Sequence, residues 1–154
     1  MPGGVAKNPC SCGRSGCLEA AVSEATLARR AAAAGIIAKP RFSALLEAAK
    51  TGRPGAVALL HERARLVASA AAMLVDVLNP ELLVVAEAGA VHLPGCLDVM
   101  RAEIAARART CVDPAHTVVA TSFGSDVLPL SAAAVMLDAV YADPLQSLPL
   151  SLAS

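Results

Sequence analysis

The sequence predicts an α/β chain, a small sheet of parallel strands packed by several helices. Apolar residues recur at helical spacing along residues 55–78. Two short runs rich in branched aliphatics, 82–86 and 117–121, are each followed by a helical stretch, so the order is helices, strand, helix, strand, helix. Strands joined through a helix run parallel. Aromatics are 2% of a composition that is 56% hydrophobic, so the core has to be Ala, Leu and Val, which suits closely packed helices.

Each element has a local cause. Residues 1–9 are a Gly/Pro-rich loop, and residues 10–17 form a tight knuckle with Gly13 and Gly16. A short helix starts at Leu18 and stops before Ser23. The Ser23 hydroxyl can accept a backbone N–H of the next turn, so it caps a helix that runs to Ala34 and stops at Gly35. Ser43 is expected to cap another short helix ending near Gly52. In the longest helix Val57, Leu60, Ala64, Val67, Ala71, Leu74 and Leu78 make one apolar stripe. Asn79-Pro80 ends it, because proline cannot continue the hydrogen-bond ladder. Residues 82–86 read as a buried strand. Pro94 opens a helix with Leu97, Met100, Ile104 and Ala108 on one face and Glu103 four residues before Arg107. Residues 117–121 are the second strand and 122–126 a loop. Pro129 opens a last helix to about Tyr141, and the tail from 143 is expected to fray.

Thirteen basic and thirteen acidic residues cancel to a formal net charge of zero. Phosphate backbones need clustered Lys and Arg, so this segment is not expected to bind nucleic acid itself. The mean hydropathy of +0.58 is high for a small domain. No apolar run reaches the roughly 20 residues of a membrane span, and residues 1–13 lack the charged start and apolar stretch of a secretory signal. The expectation is a cytoplasmic chain, off the membrane, with an apolar surface that meets a partner. The apolar helices exceed what a two-stranded sheet covers, which points to a homodimer or higher oligomer.

Three of the five cysteines, Cys10, Cys12 and Cys17, fall in a C-x-C-x₄-C pattern. Three soft thiolates on a glycine-bearing turn can converge on one zinc ion. Clustered cysteines without an export signal favour a metal over disulfides. The alternative is three unrelated thiols in a loose N-terminus. Structural zinc normally takes four ligands. His61, His92, His116, Cys96 and Cys111 are the remaining candidates, and each reads more simply as an ordinary helix or loop residue. Cys96 and Cys111 are placed at opposite ends of one helix, too far apart to assist each other.

The run from Cys10 to Glu19, CSCGRSGCLE, resembles the C-x-C-G-x-x-G-C-x-E signature of the ROK family of repressors and sugar kinases. Ala20-Ala21-Val22-Ser23 is similar to the stretch that follows that signature. Asn79-Pro80-Glu81 with its apolar strand, and Ser131-Ala132-Ala133-Ala134, resemble later segments of the family. The resemblance implies the C-terminal lobe of an actin-like (ribonuclease H-like) ATPase-type fold, part of a two-lobed sugar-binding protein. On that basis residues 1–154 form one partial domain. It comprises a zinc loop at 1–19, a helical segment at 20–78, a βαβα segment at 80–142 and a frayed tail at 143–154. In relatives the fourth zinc ligand is a histidine upstream of the first cysteine. Counted back from Cys10, its place falls just before Met1. The lobe that carries the phosphate loop and the catalytic base also lies outside this segment, so no catalytic residue is assigned. Glu19 matches the motif glutamate that accepts from a sugar hydroxyl. Its alternative is a solvated glutamate favoured by the helix dipole. This segment alone is expected to show no measurable sugar affinity.

Where the kinases of this family place a Gly-Gly pair beside the nucleotide, this sequence has Ala86-Glu87-Ala88-Gly89. An acidic side chain there would obstruct close approach and repel phosphates, unless it is simply an exposed loop residue. Ser131 also replaces a glycine of the closing helix. Both departures, with a C-terminal helix followed by Pro144, favour the regulator branch over the kinases. In such a regulator DNA is held by a separate module outside this chain, and sugar binding releases it. A sugar kinase of the same family and a stand-alone zinc-knuckle interaction module are the other readings.

Overall fold

The computed structural model describes residues 9–143. Their contacts divide them into two compact units, 9–120 and 121–143. The first contains α1 (Leu18–Val22), α2 (Glu24–Ala33), α3 (Phe42–Lys50), α4 (Pro54–Leu78), β1 (Leu83–Val85), α5 (Ala88–His92), α6 (Pro94–Arg107), α7 (Pro114–Thr117) and β2 (Val118–Ala120). The second contains a 3₁₀ turn, Gly124–Asp126, and α8 (Val127–Ala142). The fold is α/β, mostly helical, with one two-stranded parallel sheet. Among the described residues no helix is long and apolar enough to cross a membrane.

The core of the first unit forms where α4 lies against α6 and α3. Ala56, Leu60, Ala64, Ala68, Ala72 and Val75 are the buried residues of α4. Four alanines and one leucine at intervals of four make a low ridge, over which Met100 and Ile104 of α6 can close completely. The expected stripe is therefore rotated. Leu60 and Ala64 belong to it, and Val57, Val67 and Ala71 pack at its margin, but Leu74 and Leu78 stand 55% and 69% exposed. The helix is apolar on most of its circumference, so periodicity alone could not say which face would be used. Small side chains decide it, because they let another helix come near.

The caps are mixed. Ser23 accepts from the Thr26 amide at 3.3 Å, as expected, and Gly35 turns with φ +69°. Ser43 does not cap α3. Arg41 takes that place without a side-chain bond, and Ser43 lies inside the first turn. Helix α4 ends on Asn79 in the left-handed region (φ 44°), whose amide bonds the Val75 carbonyl at 2.8 Å. One turn earlier the Asp76 carboxylate accepts from the Arg109 and Thr110 amides at 2.7 and 3.0 Å. These bonds tie the connection after α6 back to α4 and hold the Asp76 carboxyl below its ordinary pKa, the Thr110 amide first among the causes.

Leu83, Val84 and Val85 pair with Val118, Val119 and Ala120. The strands are shorter than expected: Leu82 lies outside β1, and Thr117 belongs to α7. β1 is also covered on one face only, with Val85 buried and Val84 53% exposed. Helices α5 and α7, of five and four residues, were not foreseen, being too short to show a period. Each is started by a carboxylate, Glu87 accepting from Ala90 N and Asp113 from Ala115 N and His116 N.

In the second unit the expected loop at 122–126 includes a 3₁₀ turn, and α8 begins two residues before Pro129, which sits in its first turn. Residues 144–154, most of the tail expected to fray, lie outside the described residues, as do residues 1–8 of the N-terminal loop.

Candidate metal centre and the adjoining hollow

Cys10 and Cys12 sit in the loop before α1, and Cys17 is the residue from which α1 starts. The Cys10 amide bonds the Arg14 carbonyl at 2.8 Å, and the Gly13 amide bonds the Cys10 carbonyl at 3.0 Å. Gly13 and Gly16 adopt φ of +81° and +76°, values that side-chain-bearing residues rarely take. This double turn brings the three sulfurs within 4.8 Å of one another, with Cys12 Sγ and Cys17 Sγ 3.6 Å apart. Thiolates bonded at about 2.3 Å to a tetrahedral zinc stand about 3.8 Å apart. The donor set and its spacing therefore fit a zinc ion without a change in the fold.

The thiols are electrostatically unlike. Hydrogen bonding from Arg14, backbone first and side chain second, pulls the Cys12 thiol down to about 7. The Cys17 thiol is pushed up to about 11, chiefly by its contact with Cys12. One sulfur is thus ready to ligate at neutral pH, and its neighbour must have its proton displaced by the metal.

Among the described residues no fourth donor joins the three sulfurs. His61 lies by Gly95 at the start of α6, His92 ends α5, and His116 is in α7. Cys96 is fully buried in the core. Cys111 lines a different hollow, of about 290 Å³, with Asn79, Thr110 and Asp113. It lies beyond the end of α6 at Arg107, not at that helix's terminus as expected.

Glu19 is in the first turn of α1 and exposed. It lines a hollow of about 230 Å³ together with Cys10, Ser11, Ser23, Thr26 and Arg29. The metal knuckle and the expected sugar-facing carboxylate thus share one wall. Arg29 Nη2 donates to Thr26 Oγ1 at 3.1 Å, which keeps a guanidinium at the rim.

With this geometry in view, the family's sequence profile decides the kinship, since it matches residues 3–139. The chain belongs to the ROK family. Among curated proteins it is 36% identical over 104 residues to a transcriptional regulator of Mycobacterium bovis and, equally, to transcriptional regulators from two strains of Mycobacterium tuberculosis. The match covers 68% of this chain and 23% of each relative, so the chain spans about a quarter of the length of the curated relatives it matches. No solved structure matches it.

In this ROK chain Glu87 is neither an exposed loop residue nor a carboxylate thrust outward. It is only 11% exposed and forms an ion pair with Arg63, which is equally buried. Its other oxygen accepts from the Ala90 amide at 2.7 Å and starts α5. Arg63 Nε donates to the Val22 carbonyl at 2.7 Å, and its guanidinium lies 5.4 Å over the Phe42 ring. Burial pushes the Arg63 pKa down, against the field of Glu24, Cys96 and Glu19. A Cβ on Gly89 would stand 2.8 Å from Glu87 Oε2, so a side chain there would have to displace the inward carboxylate. Arg63 is the structural residue the sequence reading missed, because it stands in the charged run His61-Glu62-Arg63-Ala64-Arg65 of α4, where nothing marks it as buried. Ser131 is exposed on α8, in the other unit.

Proposed function

We propose that this chain is the C-terminal, sugar-sensing and oligomerising lobe of a ROK-family transcriptional regulator, stabilised by zinc at Cys10, Cys12 and Cys17. The observation that carries the reading is the convergence of those three sulfurs within 4.8 Å on a knuckle that leads directly into α1 and Glu19. Zinc would cross-link a segment too short to hold itself together. The lobe is of the actin-like type and forms one partial domain of a longer parent. Glu19 accepts from sugar hydroxyls in that parent, and its position on the hollow beside the knuckle supports this role. DNA contact belongs to another module of the parent, in keeping with a net charge of zero here. The mycobacterial relatives are named as transcriptional regulators, which agrees with this reading. The turn after β1 supports the same branch, because the Glu87 carboxylate already occupies the Ala90 amide in the first turn of α5.

Elemental analysis of the purified chain tests the metal first, with about one zinc per chain expected and none for the triple Cys→Ser variant. The intact parent should bind sugar, lose that binding in Glu19→Gln, and phosphorylate no sugar when given ATP. Robust ATP-dependent turnover would transfer the lobe to the kinase branch. Absence of zinc would overturn the metal part of the reading.

A further inference from the structure

We propose that Cys12 and Cys17 are a peroxide-oxidisable dithiol, so that a hydroperoxide converts the pair to a disulfide and the zinc leaves. The release of metal rests on the zinc reading above, whereas the disulfide does not. Cys12 Sγ and Cys17 Sγ are 3.6 Å apart, and closure to a bond of about 2.05 Å needs an approach of about 1.5 Å. The loop between them carries Gly13 and Gly16, both with positive φ, so the tight turn that closure needs already exists. Cys12 is exposed to an oxidant, while Cys17 is half-buried at the start of α1 and is the better anchored partner. Cys96 is buried in the core, out of reach of either.

The chemistry balances with peroxide as the only oxidant. The Cys12 thiolate attacks one peroxide oxygen, the O–O bond breaks and hydroxide leaves, giving a sulfenic acid. The Cys17 thiolate attacks that sulfur, the S–S bond forms, the S–O bond breaks and a second hydroxide leaves. Two electrons pass from the sulfurs to peroxide, and zinc remains divalent. Cys10 cannot hold the ion alone, so zinc dissociates. Cys12 becomes tethered to the residue that starts α1, two positions before Glu19.

The zinc-loaded chain is treated with hydrogen peroxide, and metal release is followed with a chromogenic chelator. Remaining thiols are alkylated and the peptides mapped by mass spectrometry. The expected result is zinc release in step with a linked Cys12–Cys17 species, alkylation of Cys10, Cys96 and Cys111 once the chain is unfolded in urea, and reversal by dithiothreitol. Cys10→Ser should still form the disulfide, and Cys17→Ser should not. Disulfides that involve Cys10, sulfinic acid on Cys12 without a disulfide, or Cys12 and Cys17 thiols that survive excess peroxide would overturn the proposal. A chain that takes up no zinc but still forms the Cys12–Cys17 bond overturns the metal reading and leaves the dithiol standing.

Discussion

Two kinds of residue govern this molecule, the thiols of the knuckle and the buried Arg63–Glu87 pair. Metal binds thiolate, not thiol, so protons compete with zinc. With the Cys12 thiol held at about 7 by Arg14, that sulfur is largely ionised above neutral pH and protonated below it. Apparent zinc affinity is therefore expected to fall as pH is lowered through 7, measured by competition with a chelator of known pH dependence. An Arg14→Ala change keeps the larger, backbone bond and removes only the side-chain one, so it should move that fall modestly to higher pH. The ion pair is governed by burial, since both side chains are 11% exposed and removal of one strands the other. Arg63→Met is expected to destabilise the chain by about 3–5 kcal/mol in urea unfolding. The double change Arg63→Met with Glu87→Gln should cost less than the single one. The convergence of Cys10, Cys12 and Cys17 was legible in sequence because the spacing of residues on a tight turn is a local property. The inward turn of Glu87 was not, because Arg63 lies twenty-four positions away along the chain.

Among the elements, α2 and α3 offer a direct contrast. Both begin near a serine, but only Ser23 accepts from a backbone amide. Ser23→Ala is expected to cost about 1 kcal/mol, and Ser43→Ala to leave thermal stability nearly unchanged; equal losses in the two melts would contradict this. Helix α4 shows the limit of periodicity. Its length and its stop at Asn79 followed from apolar spacing and from Pro80, which act within a turn or two of the chain. Its buried face followed from α6, which comes later in the sequence and packs over alanine in preference to Leu74 or Leu78. The strands were foreseen as apolar runs but overextended, since their pairing covers three residues and Thr117 is drawn into α7 by the Asp113 cap.

For the whole molecule, exposed apolar surface is the governing quantity. Met73, Leu74, Val77, Leu78, Leu82 and Val84 stand between 52% and 80% exposed around the end of α4 and β1. Patches of this kind mark interfaces, and self-association is expected. Sedimentation at micromolar concentration should show a dimer or larger species. Val77→Glu with Leu78→Glu should shift it towards monomer while the helical content stays that of the wild type, since neither side chain belongs to the core. A wild-type chain that sediments as a clean monomer would contradict the expectation.

Family, helix stops and the cysteine knuckle could be read from residues close together along the chain, because capping, turn formation and metal-ligand spacing act over a few positions. Which face of α4 is buried, where Glu87 points and how far the strands extend depend on contacts between distant segments. Packing selected among alternatives that an evenly apolar sequence left nearly equal.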